Sequence, residues 1–199
     1  DKSKEVIVFC SHFHPDHFNK EVLQWREQRP DIIYIFSKDI LRHRRAQKED
    51  AVWLKKGEEY KDETLSVRAF GSTDVGVSFL LQASGKKIFH AGDLNNWHWM
   101  DESTEAEWKG AEKNFLHELD DLYAYTPEVD VAMFPVDPRL GKEYMRGAGQ
   151  FVTKIKTHIF VPMHFTPEYA KANAFRDFAE AHGVRFVSLT HRGQKIEIE

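Results

Sequence analysis

The stretch Glu5-Val6-Ile7-Val8-Phe9-Cys10-Ser11-His12-Phe13-His14-Pro15-Asp16-His17 runs from a β-branched and aromatic segment straight into a polar one. Glu5 to Cys10 reads as a buried strand, so the chemistry begins at a strand end. Residues 12–17 then pack three imidazoles and one carboxylate together, a density that points to metal binding. In extended backbone, residues two apart face the same way, which lets His12 and His14 converge on one ion. Pro15 sets a bend after which Asp16 and His17 can face a second ion. Nitrogen and oxygen donors without thiolate suit Zn²⁺, with Mn²⁺ or Fe²⁺ as alternatives.

Outward from this point, Asn19 can cap a helix that Pro30 stops, and Asp31 to Phe36 reads as a second buried strand. Ser37 can cap a further helix through Ile40 and Leu41. Strand-like pieces follow at Ala51 to Leu54, around Glu59 and at Thr64 to Ala69, and Ser84-Gly85 joins Val77–Gln82 to Lys87–His90 as a hairpin. Thr104 and Glu107 form a capping box before the helical stripe Trp108, Ala111, Phe115, Leu119, Leu122, which is core. Strands at Val129–Phe134 and His158–Pro162 flank a helix over Gly147–Lys156. A single helix is expected with Thr166 as its cap, Pro167 at its first position and Gly183 just after its end, then strands at Arg185–Leu189 and Lys195–Ile198. Strands with hairpins fill the first half and strand–helix alternation the second, which predicts an α/β sandwich in one domain spanning 1–199. No glycine-rich phosphate loop follows the first strand, so nucleotide binding of that kind lacks its parts.

The 199 residues are 41% apolar and carry 28 basic against 32 acidic side chains, a formal charge of −4. A chain this long buries about 70–75% of its unfolded surface without help from a metal, so a metal site here implies function. The slight acidic balance argues against a duplex nucleic-acid binder, and the basic run Arg42-His43-Arg44-Arg45 reads as a solvated helix face. The longest nearly apolar stretch, Val75 to Leu81, is far below the roughly 20 residues needed to span a bilayer. Cys10 is the only cysteine, which excludes an intrachain disulfide, fits a reducing compartment and makes a cytoplasmic protein the expectation.

His12-Phe13-His14-Pro15-Asp16-His17 resembles the HxHxDH signature of the metallo-β-lactamase superfamily. Two later pieces sit in the family's order: Ile88-Phe89-His90-Ala91-Gly92-Asp93 is similar to the strand and Gly-Asp turn that supply a bridging carboxylate, and Val161-Pro162-Met163-His164-Phe165 to the strand end that supplies the last histidine. The resemblance implies a four-layer αββα sandwich with one or two divalent ions at one rim. His12 and His14 would hold the first ion, Asp16, His17 and His164 the second, and Asp93 would bridge. The pattern departs at Gly71-Ser72-Thr73-Asp74, where Ser72 stands in place of the family's usual third-motif histidine; Asp74 or His90 could supply the missing ligand. The first motif also begins at residue 12, where relatives place several strands before it, so the first hairpin is expected to be missing from this chain.

The resemblance implies a metal-dependent hydrolase of lactonase-like type that uses activated water on an ester, lactone or phosphoester bond of a small molecule. No Gly-x-Ser-x-Gly elbow offers a side-chain nucleophile. Asp16 is the candidate for orienting the attacking water or accepting its proton. Leu94 to Trp99 and Pro135 to Tyr144, with Arg139 and Lys142, are candidate substrate-side segments. The rival expectation is a non-catalytic, metal-binding or scaffold member of the same fold.

Overall fold

The computed structural model describes residues 3–197. Two sheets face each other, and the residue alternation along their strands explains the layers. In the smaller sheet β1 (Ile7–Cys10), β2 (Ile33–Ser37) and β3 (Val52–Leu54) run parallel in that order. Tyr34 and Phe36 of β2 point outward to pack with Phe18, Val22 and Ile40. Ile35 between them points inward, against Val67, Ala69 and Phe79 of the other sheet. The outer cover comes from a 3-10 helix at Lys20–Glu27, capped by the Asn19 side chain on Glu21 N–H, and α1 (Lys38–Arg42). The cap falls where expected, but the helix it opens is 3-10 rather than α.

The larger sheet holds seven strands in the order β10-β9-β8-β7-β6-β5-β4. These are β4 (Glu59–Lys61), β5 (Leu65–Phe70), β6 (Ser78–Ala83), β7 (Lys86–His90), β8 (Glu128–Pro135), β9 (Lys156–Met163) and β10 (Arg185–Phe186). Strands β4 to β7 pair antiparallel and β7 to β10 parallel. Ser84 and Gly85, at φ 50° and 74°, make the β6–β7 turn, the conformation a two-residue hairpin requires. On the outer face α2 (Glu105–Tyr125), whose capping box forms between Thr104 and Glu107, seats Phe115, Leu119 and Leu122 on Phe89 and Phe134. Joined by α3 (Arg146–Lys154), α4 (Tyr169–Asn173) and α5 (Arg176–Ala181), α2 completes the αββα order.

Two expectations are corrected near the C-terminus. The helix expected from Pro167 to Gly183 is two short ones, begun at Tyr169 without a side-chain cap and interrupted at Ala174–Phe175, where Phe175 is drawn fully into the core beside Phe160 and Phe186. Of the strand expected at Arg185–Leu189 only two residues pair, and residues 195–197 form none; Ile198 lies outside the described residues. No helix among the described residues is long and apolar enough to cross a membrane.

Cys10 ends β1 with its thiol buried, which pushes its pKa up to about 12. The native thiol is therefore expected to react with an aromatic disulfide at pH 8 roughly a thousandfold more slowly than the unfolded one, whose pKa is about 8.5. Equal labelling rates with and without urea would show the strand end to be open.

Candidate metal centre

Every group of the site hangs from the carboxyl end of a strand at one rim. Loop 11–17 follows β1, residues 71–77 follow β5, Asp93 follows β7, Asp137 follows β8 and His164 follows β9. His164 and Trp99 adopt φ of 63° and 43°, a left-handed backbone that costs a non-glycine residue about 1–2 kcal/mol and gathers at functional sites. Close docking of the two sheets here depends on glycine. Gly76 has φ 75°, and a Cβ on it would lie 2.0 Å from the Ser11 carbonyl oxygen and 2.5 Å from His12 Cβ. That same Ser11 carbonyl accepts the Val77 N–H at 3.0 Å, tying the two loops together.

Two clusters result. His12, His14, Asp74 and Asp93 offer ligand atoms all within 4.8 Å of one another, and so do Asp16, His17 and His164. Asp93 lies between them: Oδ2 is 3.3 Å from His12 Nε2, while Oδ1 is 3.2 Å from His17 Nε2 and 3.4 Å from His164 Nε2. His14 Nδ1 stands 3.7 Å from Asp74 Oδ2, and Asp16 Oδ2 stands 3.5 Å from His17 Nε2. All six residues read from the sequence thus meet at one place. Of the two substitutes considered for the absent histidine, Asp74 is in the first cluster and His90 is in neither. His90 instead accepts the Gly92 N–H on Nδ1 at 3.0 Å, and burial lowers its pKa to about 4.

Two residues that sequence reading did not single out orient the rings. Ser11 Oγ, buried, is 3.0 Å from His12 Nδ1 and 3.2 Å from His17 Nδ1. A hydroxyl oxygen can accept from both ring N–H groups, which leaves each Nε2 lone pair aimed at Asp93. Asp137, 1% exposed, takes the His164 Nδ1–H at 2.9 Å, which turns that Nε2 the same way. Burial pushes the Asp137 carboxyl up, but the His164 and Arg139 hydrogen bonds outweigh it and hold its pKa down to about 2. No signal in a single sequence marks either residue, because each acts only through contacts made after folding.

The electrostatics at the centre are those of a cation site. Burial and the neighbouring imidazoles lower the His12 pKa to about 3, so its ring is neutral; burial also lowers that of His17 and raises that of Asp93. For His164 burial favours the neutral ring, yet the Asp137 hydrogen bond and the Asp93 charge prevail and raise its pKa. His12 Nε2 and Asp93 Oδ1 are buried with no hydrogen-bond partner, although each such atom costs about 1–3 kcal/mol when left unsatisfied. Lone pairs converging on a buried carboxylate repel unless a positive ion stands among them. The donor set therefore fits divalent metal.

Comparison with known proteins agrees. Residues 3–165 match the family model described as the beta-lactamase superfamily domain. Igni18, a metallo hydrolase from the hyperthermophilic archaeon Ignicoccus hospitalis, shares the fold at 17% identity and TM-score 0.60, over 92% of this chain and 76% of its own. YhfI from Bacillus subtilis, a metallo-β-lactamase fold protein, does so at 10% identity and TM-score 0.60, over 94% of this chain and 75% of its own. No curated protein matches the sequence. These structural likenesses show the fold, and the family match across residues 3–165 gives the membership: this chain belongs to the metallo-β-lactamase superfamily.

Proposed function

We propose that the protein is a metal-dependent hydrolase of a small-molecule ester, lactone or phosphoester, working in the cytoplasm. One observation carries this reading: Asp93 presents one oxygen to each of two facing ligand clusters, and its Oδ1 on one side and His12 Nε2 on the other are buried with no hydrogen-bond partner. His12, His14, Asp74 and Asp93 would hold one ion, and Asp16, His17 and His164 the other, with Asp93 shared. Imidazole and carboxylate donors favour Zn²⁺, and Asp74 in place of an imidazole makes the first position harder and more open to Mn²⁺ or Fe²⁺.

A divalent ion held by these residues would lower the pKa of water from about 15.7 to about 7 and polarise the substrate oxygen. The chain's own groups supply the rest. Asp16, with its side chain 69% exposed against 45% for Asp74, is the most open carboxylate of the site and so orients the attacking water and takes its proton. Ser11 and Asp137 fix the rings that surround it. Buried Asp93 and His12 keep bulk water from the centre of the site, where charge is least screened.

The test is turnover of lactone, phosphodiester and thioester probes by zinc-loaded protein, with and without chelator. Chelator-sensitive hydrolysis lost in Asp16→Ala supports the reading; no turnover at full metal loading favours the non-catalytic, metal-binding alternative. Asp74→Ala is expected to lower the zinc content measured by mass spectrometry of the native protein from about two ions to about one. Unchanged stoichiometry would remove Asp74 from the ligand set.

A further inference from the structure

Beside the two clusters the rim carries a surface of another kind. The rings of Trp97 and Trp99 are near-parallel, 6.4 Å apart, and Trp97 meets His164 edge-on at 5.4 Å. Their backbone is pinned from behind. Thr73 Oγ1 donates to the Asn95 carbonyl at 2.6 Å and accepts the Asn95 N–H at 3.0 Å, and Asn96 Nδ2 donates to Gln150 Oε1 at 2.9 Å. Buried His98 is held between the Met100 N–H and the Glu143 carbonyl, and Trp97 Nε1–H donates to the Asp93 carbonyl. The Trp97 indole, held by its own hydrogen bond, and Trp99 stacked beside it are thus walls of a cleft of about 260 Å³ that also contains Asp74, Asp93, His164 and Arg139.

Arg139 closes this cleft and shares a second one, of about 230 Å³, with Asp16. Its Nε and Nη2 are clamped on the Asp137 carboxylate at 2.6 to 3.0 Å, which fixes the plane of the guanidinium. The side chain is still 64% exposed, and Nη1 has no hydrogen-bond partner among the described residues. On the ligand assignment proposed above, two divalent ions offset the charges of Asp16, Asp74, Asp93 and Asp137, so Arg139 is the surplus positive charge. A rigid cation next to a flat aromatic wall is a recognition pair for an anion carried on a ring.

We propose that this cleft selects ring-bearing small molecules that carry a carboxylate or phosphate, the ring lying against Trp97 and Trp99 and the anion on Arg139. The selection deepens the hydrolase reading and rests on it for the reaction, but it can be measured as binding. Zinc-loaded protein is titrated with benzoate, phenyl phosphate and benzyl alcohol, following tryptophan fluorescence. The wild-type chain is expected to bind the better of the two anions at least about tenfold more tightly than benzyl alcohol, and the winner names the anion. Arg139→Gln keeps a donor for Asp137 while removing the charge. It should reduce the preference to about twofold with benzyl alcohol binding unchanged, and Arg139→Lys should restore part of it.

Equal weakening of the anions and benzyl alcohol in Arg139→Gln would assign Arg139 a merely structural role and overturn the proposal. So would an undiminished preference, or no binding of any probe. If the preference depends on Arg139 but no ester is turned over, the hydrolase reading falls and the anion site stands. Should an anionic ester be hydrolysed, Arg139→Gln is expected to raise its KM about tenfold with kcat little changed.

Discussion

Asp93→Asn is expected to stabilise the metal-free protein and, in the same molecule, to abolish stabilisation by zinc and any chelator-sensitive hydrolysis. Without metal the Asp93 carboxylate is buried, its pKa raised first by burial, and it faces neutral rings on two sides. An amide of the same shape carries no charge to desolvate, and its NH₂ can donate to His17 Nε2, whose pKa burial lowers, so chelator-treated protein should gain about 1 kcal/mol. With zinc the sign reverses. The wild type gains about 2.7 kcal/mol when free ion is a hundredfold above Kd, whereas the variant lacks the oxygen that both clusters share. A loss of several kcal/mol at that position corresponds to about a thousandfold or more in rate. Thermal melts of both proteins with chelator and with zinc decide it: a variant that melts lower without metal, or that still gains from zinc as the wild type does, contradicts the assignment.

The other large effect belongs to Gly76. Gly76→Ala combines a left-handed backbone, worth about 1 kcal/mol against an L-residue, with a Cβ that would sit 2.0 Å from the Ser11 carbonyl oxygen. That oxygen cannot retreat without breaking its hydrogen bond from Val77 N–H, and the next atom in the way is His12 Cβ. The total cost is about 3–5 kcal/mol, with weakened zinc binding because His12 moves with its backbone. Gly85 is the control: its φ is 74° but nothing lies within 4 Å of the place a Cβ would take, so Gly85→Ala should lose only the conformational part. Urea midpoints for the two variants would test this, and a Gly76 variant no weaker than the Gly85 one would mean that the loops yield freely.

The histidine-rich loop was legible because its spacing is short-range: His12, His14, Asp16 and His17 are brought together by one bend after one strand. Asp93 and His164 were legible by order and by their position at strand ends. The place of Asp74 rather than His90 in the first cluster was not, since both are polar residues near the gap and only the course of residues 71–77 across the rim chooses between them. Ser11 and Asp137 were invisible for the same reason, because a hydroxyl that serves two rings or a carboxylate that serves one leaves no periodic trace. Segment 167–183 misled because a cap signal and a terminal glycine suggest one helix, while the burial of Phe175 is a demand of the core and overrides them.

The candidate ligands are divided unevenly between the two sheets. His12, His14, Asp16 and His17 extend from β1 in the three-stranded sheet, while Asp74, Asp93 and His164 belong to connections and ends of the seven-stranded one. An ion held in either cluster would therefore be a rivet through the seam between the layers, and opening that seam would release it.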